Sequence, residues 1–182
     1  MSTPKVLLTA DDLLRISGAG KRYELVRGEL IEMAPTGGRH GRVAIRIGWR
    51  LGAYVEQQDL GEVFAEETGF LLERNPDKVR APDGAFVAKG RLPPGDPPVG
   101  FVDIVPDLVV EVVSPGDTAS YIQAKVEDWL RAGVRLAWVF YPDTRSVAVY
   151  RSLDEVSVLS DGDHLQGDLV LPGFSCLVTD LF

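Results

Sequence analysis

The chain has 182 residues, of which 45% are hydrophobic and 25% charged, and its formal net charge at pH 7 is −8. A chain of this length can bury one core, so we expect a single domain over residues 1–182. The negative charge argues against a protein that coats nucleic acid without specificity, because that affinity is carried by Lys and Arg. A single cysteine excludes an intramolecular disulfide, and no apolar run of about 18 residues predicts a membrane span, so we expect a cytoplasmic protein.

The N-terminal third predicts a short helix, a β-hairpin and a long helix. The segment LTADDLLRIS has Thr9 as a candidate N-cap with Asp12 three positions further on. RYELVRGELIEM predicts a hairpin that turns at Arg27-Gly28. A long helix is predicted over roughly residues 39–57. Its arginines recur at spacings of three, four and four residues, which aligns them on one side, and they are Arg39, Arg42, Arg46 and Arg50.

The remaining two thirds alternate strands with one further helix. EVFAEETGFLLE, APDGAFVA and PDLVVEVV are strand candidates, and the loop GRLPPGDPPVG separates the last two. A helix is predicted over about 118–132, with Asp117 as its cap and Gly133 as its end. LAWVFY and SVAVYR predict a hairpin across PDTR, and short strands follow. This order predicts an α/β protein with a mixed sheet that carries helices on its faces.

Glu111 lies in the middle of the apolar run PDLVVEVVSP, where a bare charge would cost several kcal/mol. Side chains alternate along a strand, so Asp107 and Glu111 share a face but lie about 13 Å apart, too far to share one ion. Asp83, in the preceding predicted strand, is the better partner, because facing carboxylates on adjacent strands can hold Mg²⁺. The alternatives are an ion pair inside the core for Glu111, with Lys125 among its possible partners, and a polar strand entry for Asp83.

Lys125 lies at the edge of the apolar stripe of the second predicted helix. From that position its ammonium can reach the end of the sheet. The alternative is a surface lysine whose stem covers apolar neighbours. For the arginines of the long helix, the alternatives are phosphate contacts and an ordinary solvated helix face.

These segments together resemble the Uma-type restriction endonucleases of the PD-(D/E)XK nuclease superfamily. The resemblance covers nearly the whole chain and rests on YELVRGELIEMAPTGGRHG, APDGAFV, PDLVVEVVSP, LRAGV, WVFYPDTRSVAVYR and LPGF. It implies a restriction-endonuclease-like fold, with a central mixed sheet flanked by helices, and a site for a divalent cation, Mg²⁺ or Mn²⁺.

The resemblance assigns roles to particular residues. The acidic metal-binding pair falls on Asp83 and Glu111, and the lysine role falls on Lys125, because the superfamily's usual lysine position, two residues after the Glu, is a valine here. Glu24 matches a further position and would complete the metal site or act as a base. His40 also matches and would line the site, the alternative being a structural histidine.

The sequence departs from the family pattern in the helix that carries the lysine. Tyr121 stands where the family commonly has an Asp, and Trp129 stands where it usually has a Tyr. Two hypotheses follow. The first is a Mg²⁺-dependent endonuclease that hydrolyses DNA phosphodiester bonds, with the arginines on phosphates and a homodimer supplying two active sites. The second is a catalytically inactive nuclease-fold protein that serves as a binding or regulatory module.

Overall fold

The computed structural model describes residues 6–16 and 21–182. Three α-helices, twelve β-strands and one 3₁₀ helix are found in these ranges. The helices are α1 (Ala10–Ile16), α2 (Gly38–Gln57) and α3 (Ala119–Ala132), and the 3₁₀ helix spans Val178–Leu181. The strands are β1 (Arg22–Val26), β2 (Glu29–Met33), β3 (Gly61–Ala65), β4 (Phe70–Glu73), β5 (Lys78–Arg80), β6 (Gly84–Ala88), β7 (Leu108–Val112), β8 (Leu136–Tyr141), β9 (Ser146–Tyr150), β10 (Val156–Leu159), β11 (His164–Gln166) and β12 (Ser175–Leu177).

The largest sheet is mixed, as the sequence predicts. Its six strands follow the order β10-β9-β8-β7-β6-β3. β7 and β8 run parallel, and α3 forms the crossover that parallel neighbours require, whereas the other neighbours are antiparallel. A second, antiparallel sheet has the order β2-β1-β5-β4, and β11 pairs with β12.

Helices cover both faces of the six-stranded sheet because its central strands are apolar on both sides. α2 packs Ile47 and its neighbours into a core with Val110 and Trp138. On the opposite face, Trp129 of α3 packs with Val109 and with residues of the four-stranded sheet. In the described parts of the chain, no helix is both long enough and apolar enough to cross a membrane.

Most predicted elements form, with two differences. The hairpin turns at Arg27-Gly28, where both residues have positive φ, and Gly133 ends α3 in the left-handed conformation. EVFAEETGFLLE is not one strand but two, β3 and β4, which belong to different sheets.

The cap predicted for α3 is also wrong. Thr118 is the N-cap and accepts a hydrogen bond from the Tyr121 N–H, whereas Asp117 accepts one from the Ser114 N–H in the preceding turn. In α1, Thr9 exchanges hydrogen bonds with Asp12 as an N-cap does. Ser17, the end of the predicted segment, lies outside the described residues.

Candidate active site

A cavity of about 700 Å³ lies where the start of α2, the start of β6, the end of β7, α3 and the β1–β2 hairpin meet. The ends of strands and the beginnings of helices supply its walls, so residues distant in sequence converge there. All five residues predicted to be catalytic line it, namely Glu24, His40, Asp83, Glu111 and Lys125.

Asp83 and Glu111 come together because β6 and β7 are antiparallel neighbours. The Asp83 N–H donates to the Val110 carbonyl at 2.9 Å, which extends the ladder beyond the start of β6. The Asp83 carboxylate also accepts a hydrogen bond of 2.6 Å from the Val112 N–H. One side chain is therefore fixed to the strand that carries the other.

Asp83, His40 and Glu66 carry side chains of the kind that bind metal ions. We name these three residues the His-carboxylate cluster. Their ligand atoms lie within 4.8 Å of one another. His40 is buried and its Nε2 lies 3.2 Å from Asp83 Oδ2. Burial alone would lower the pKa of His40, but the hydrogen bond and charge of Asp83 outweigh it and raise that pKa above its usual value.

Sequence reasoning missed Glu66. It follows β3, and the β3–β6 register pairs Ala65 with Gly84, so the next position along brings Glu66 opposite Asp83. The EETG segment has no local feature that predicts this pairing. Knowledge that β3 lies beside β6 would have been sufficient to find it.

The buried charge of Glu111 is compensated by an ion pair inside the core. Such an ion pair was the alternative to metal binding that the sequence left open. One carboxylate oxygen accepts a 2.7 Å hydrogen bond from Lys125 Nζ, and the other accepts one of 2.7 Å from Trp129 Nε1. Burial raises the pKa of Glu111, and the Lys125 charge opposes that rise. Lys125 is only 5% exposed, so it is not a surface lysine.

The ion pair continues into a buried ion network, which we define as Glu111, Lys125, Glu24, Arg80 and Asp128. Glu24 lies 3.5 Å from Lys125 Nζ and accepts a 2.5 Å hydrogen bond from Arg80. Arg80 also forms an ion pair of 2.6 Å with Asp128. Burial would raise the pKa of Glu24, but the charges of Lys125 and Arg80 outweigh it and hold that pKa below its usual value.

Neither Arg80 nor Asp128 was predicted. A fully buried arginine in the short strand KVR has no signature in a hydrophobic pattern, because it is tolerated only where carboxylates from other elements reach it. Tyr121, at the position where the family commonly has Asp, directs its hydroxyl toward Glu24 at 3.4 Å. Burial raises the pKa of Tyr121 to about 12. The phenol is therefore a neutral hydrogen-bonding group at neutral pH.

The four arginines predicted to align on one side of α2 fall into two pairs with different environments. Arg46 donates to the Phe182 carbonyl at 2.7 Å, and Arg50 donates to the Arg46 carbonyl. Arg39 is exposed and pairs with Asp143 at 2.9 Å, and Arg42 is exposed. The first two arginines of α2 are thus exposed, with Arg39 in a surface ion pair, while the last two are half-buried and donate to backbone carbonyls.

Two smaller cavities lie beside the exposed arginines. One of about 280 Å³ is lined by Arg39, Arg42 and Arg145. Another, of about 300 Å³, shares Arg39 with it and shares His40 and Ser114 with the main cavity. Sequence reasoning did not predict Arg145, which arrives from the β8–β9 hairpin.

The donor set of the His-carboxylate cluster fits a divalent cation. Carboxylate oxygens suit Mg²⁺ and Mn²⁺, and an imidazole nitrogen binds transition-metal ions more readily than Mg²⁺. The Glu66 side chain makes no hydrogen bond or ion pair within residues 6–16 and 21–182, so its oxygens are available. His40 Nδ1 is buried without a hydrogen-bond partner in the same ranges.

Comparisons with known proteins agree with the resemblance seen in the sequence. The sequence model of the Uma2 family, described as "Putative restriction endonuclease", matches residues 10–179. A solved structure from Anabaena variabilis, titled as a putative nuclease belonging to DUF820, superposes with a TM-score of 0.81 at 21% identity. The match covers 96% of this chain and 97% of that one, and the restriction-endonuclease-like fold is confirmed. Among curated proteins, none matches this sequence.

Proposed function

Because the chain belongs to this Uma2 family, we propose that it is a metal-dependent endonuclease that hydrolyses phosphodiester bonds of DNA. One observation carries the proposal. The His-carboxylate cluster, which lacks a lysine or arginine partner in the described ranges, lines the same cavity as a lysine held by buried carboxylates. A cation site next to a fixed positive charge is an arrangement suited to a phosphate group.

In this proposal, Asp83, Glu66 and His40 hold Mg²⁺ or Mn²⁺, and the imidazole favours Mn²⁺. The bound cation supplies Lewis-acid polarisation of the phosphodiester. Glu111 remains the second acidic ligand that the family pattern assigns. Because both of its oxygens already accept hydrogen bonds, ligation by Glu111 requires it to release Lys125 or Trp129.

Lys125 supplies positive charge for the phosphate oxygens as negative charge develops on them. Glu111 and Glu24 fix its ammonium, so little reorganisation is needed when substrate arrives. Glu24 is assigned to positioning in place of the base role considered from sequence, since Arg80, Lys125 and the Ala81 N–H occupy its oxygens.

Arginines of α2 are proposed to contact the DNA backbone. Arg39 lines both smaller cavities, and one of them is also lined by His40 of the His-carboxylate cluster. Contacts by Arg42, Arg46 and Arg50 stay predictions, and the last two would have to exchange partners within the chain. Such contacts position a duplex without reading its sequence.

The second candidate function is a nuclease-fold protein without catalysis that binds a partner. The observation that favours it is the saturation of Glu111 by Lys125 and Trp129, together with the net charge of −8. In that case the ion network serves only the stability of the core.

A cleavage assay separates the two candidates. Purified protein is incubated with plasmid, single-stranded and branched DNA in the presence of Mg²⁺ or Mn²⁺. The wild type should cut at least one substrate, and Asp83→Asn and Glu66→Gln should lower the rate on the order of a hundredfold. Glu62→Gln is the matched control, because it removes an exposed carboxylate from β3, the edge strand that precedes Glu66, at a position outside the cavity. Absence of cleavage with every substrate and both cations would reject the nuclease.

Two further parts of the proposal concern the state of the protein. We propose a homodimer, because cutting both strands of a duplex uses two active sites. We also propose a cytoplasmic location, which cell fractionation tests. Sedimentation of the purified chain tests the dimer independently of any activity.

A further inference from the structure

The side of α2 that points away from the core carries large apolar side chains in solvent. Ile45 and Trp49 are 68% and 67% exposed, and their spacing of four residues stacks them on one side. Arg50 approaches the indole ring at 5.6 Å but leaves most of it open. Exposed apolar residues are ordinary when scattered, whereas adjacent ones on a regular helix form a patch that suits a partner.

Three glycines lie on the same side of this helix, at Gly41, Gly48 and Gly52. A Cβ atom added at any of them would meet nothing within 4 Å, so packing within the chain does not require glycine there. Glycine is among the least favourable residues in a helix interior. What it permits is the close approach of another backbone. We call the surface formed by Gly41, Ile45, Gly48, Trp49 and Gly52 the outer face of α2.

We propose that the outer face of α2 is the surface through which two copies of this chain associate, with the two α2 helices antiparallel about Trp49. The proposal rests on the homodimer in the proposed function and specifies its interface; it does not depend on catalysis. In this arrangement the exposed Trp49 side chains of the two copies meet at the two-fold axis and cover each other. The glycine positions on the same face carry no side chains that would hold the two helices apart.

Charge complementarity supports a second copy as the occupant. Arg42 stands seven residues before Trp49, and Glu56 stands seven residues after it. In an antiparallel pair centred on Trp49, Arg42 of each copy therefore meets Glu56 of the other, about 10 Å along the axis on either side. Both side chains are exposed, and neither makes an ion pair within the described ranges.

The same register places Ile45 opposite Ala53 of the other copy, where a small side chain gives room for a branched one. Arg42 then belongs to the dimer interface, and Arg39 remains for nucleic acid. One helix pair buries less than the roughly 1,200–2,000 Å² of stable interfaces, so the dimer is expected to dissociate on dilution.

The test is sedimentation velocity of the full chain from low to high micromolar concentration. The wild type should show a concentration-dependent dimer. Arg42→Glu and Glu56→Arg should each lower the association constant by about tenfold or more, and the double variant should recover most of it, because the pair is only reversed. Val158→Lys, at a comparably exposed apolar position on β10, is the control and should leave association unchanged.

Gly48→Ala adds a readout that a purely structural role would not give. The added methyl has open space in the monomer and improves helix propensity, so the midpoint of thermal unfolding at low concentration should rise. The same methyl should separate the paired helices and weaken association by about tenfold or more.

Three results would overturn the proposal. A monomer at all concentrations removes the homodimer altogether. A dimer that survives Arg42→Glu and Gly48→Ala uses another surface. Failure of the double variant to recover association excludes the antiparallel register. None of these results bears on the metal site, which cation-dependent unfolding measures in the same samples.

Discussion

The His-carboxylate cluster lines the same cavity as Glu24, Glu111 and Lys125 of the buried ion network, yet the charges of the two groups are compensated differently. In the network, every carboxylate meets a lysine or arginine of the chain, as in the pairs Lys125–Glu111 and Arg80–Glu24. In the cluster, neither Asp83 nor Glu66 pairs with a lysine or arginine of the described ranges, and the ionisable partner of Asp83 is His40.

This difference separates a structural arrangement from one prepared for a ligand. Charges removed from water must be compensated, and α3 and β5 bring the cations that do so for the network. The cluster lies closer to solvent, where Glu66 is exposed, and its negative charge is left for a cation from outside. This distinction can be tested by removing a cation from the network and by binding a cation to the cluster.

The largest expected effect comes from breaking the network at Lys125. Lys125→Met leaves Glu111 and Glu24 buried without the cation they share, so the free energy of unfolding should fall by about 3–5 kcal/mol. Urea denaturation followed by circular dichroism measures it. The double variant Lys125→Met/Glu111→Gln, which removes one of the uncompensated charges, should recover part of the loss.

Lys89→Met is the matched control for this experiment. Lys89 forms an exposed ion pair with Asp59, and such pairs add little to stability. If Lys125→Met unfolds at the same urea concentration as the wild type, the network does not stabilise the fold. The role of Lys125 would then be in function alone.

The second-largest effect is expected from binding a cation to the His-carboxylate cluster. Mn²⁺ at about a hundred times its dissociation constant should add about 2.7 kcal/mol to the free energy of unfolding, because only the folded chain assembles the three ligands. Asp83→Asn should abolish this gain. In the absence of metal, the amide oxygen still accepts from the Val112 N–H, so stability should change only by the lost charge interaction with His40.

Glu62→Gln should keep the full stabilisation by Mn²⁺, as it lies outside the cluster. Equal stabilisation of wild type and Asp83→Asn would place the cation elsewhere. Mg²⁺ measured in parallel should give a smaller gain, because an imidazole ligand favours Mn²⁺.

The smallest effect is expected where the network touches the cavity through Tyr121. Tyr121→Phe removes a hydroxyl 3.4 Å from Glu24, which keeps Arg80, Lys125 and the Ala81 N–H as partners. The free energy of unfolding should therefore fall by no more than about 1 kcal/mol. A loss comparable to that of Lys125→Met would show that Glu24 depends on the phenol and is poorly compensated by its cations.

The sequence by itself determined the features that depend on near neighbours in the chain. Arg27-Gly28 between two alternating runs predicted the hairpin, and the two positive φ angles there are what such a turn needs. The position of Glu111 in an apolar run required a compensated carboxylate, and helical periodicity put Lys125 within its reach. The motifs around these residues also sufficed to identify the family.

Only the tertiary structure decided which compensation each carboxylate receives. Glu66 joins Asp83 because β3 pairs with β6, and Arg80 reaches Glu24 because β5 pairs with β1. A strand's own side-chain period reports which face is buried but not which strand lies beside it. Strand partners are selected by the packing of the whole core, so a ligand contributed across a sheet has no local signal in the sequence.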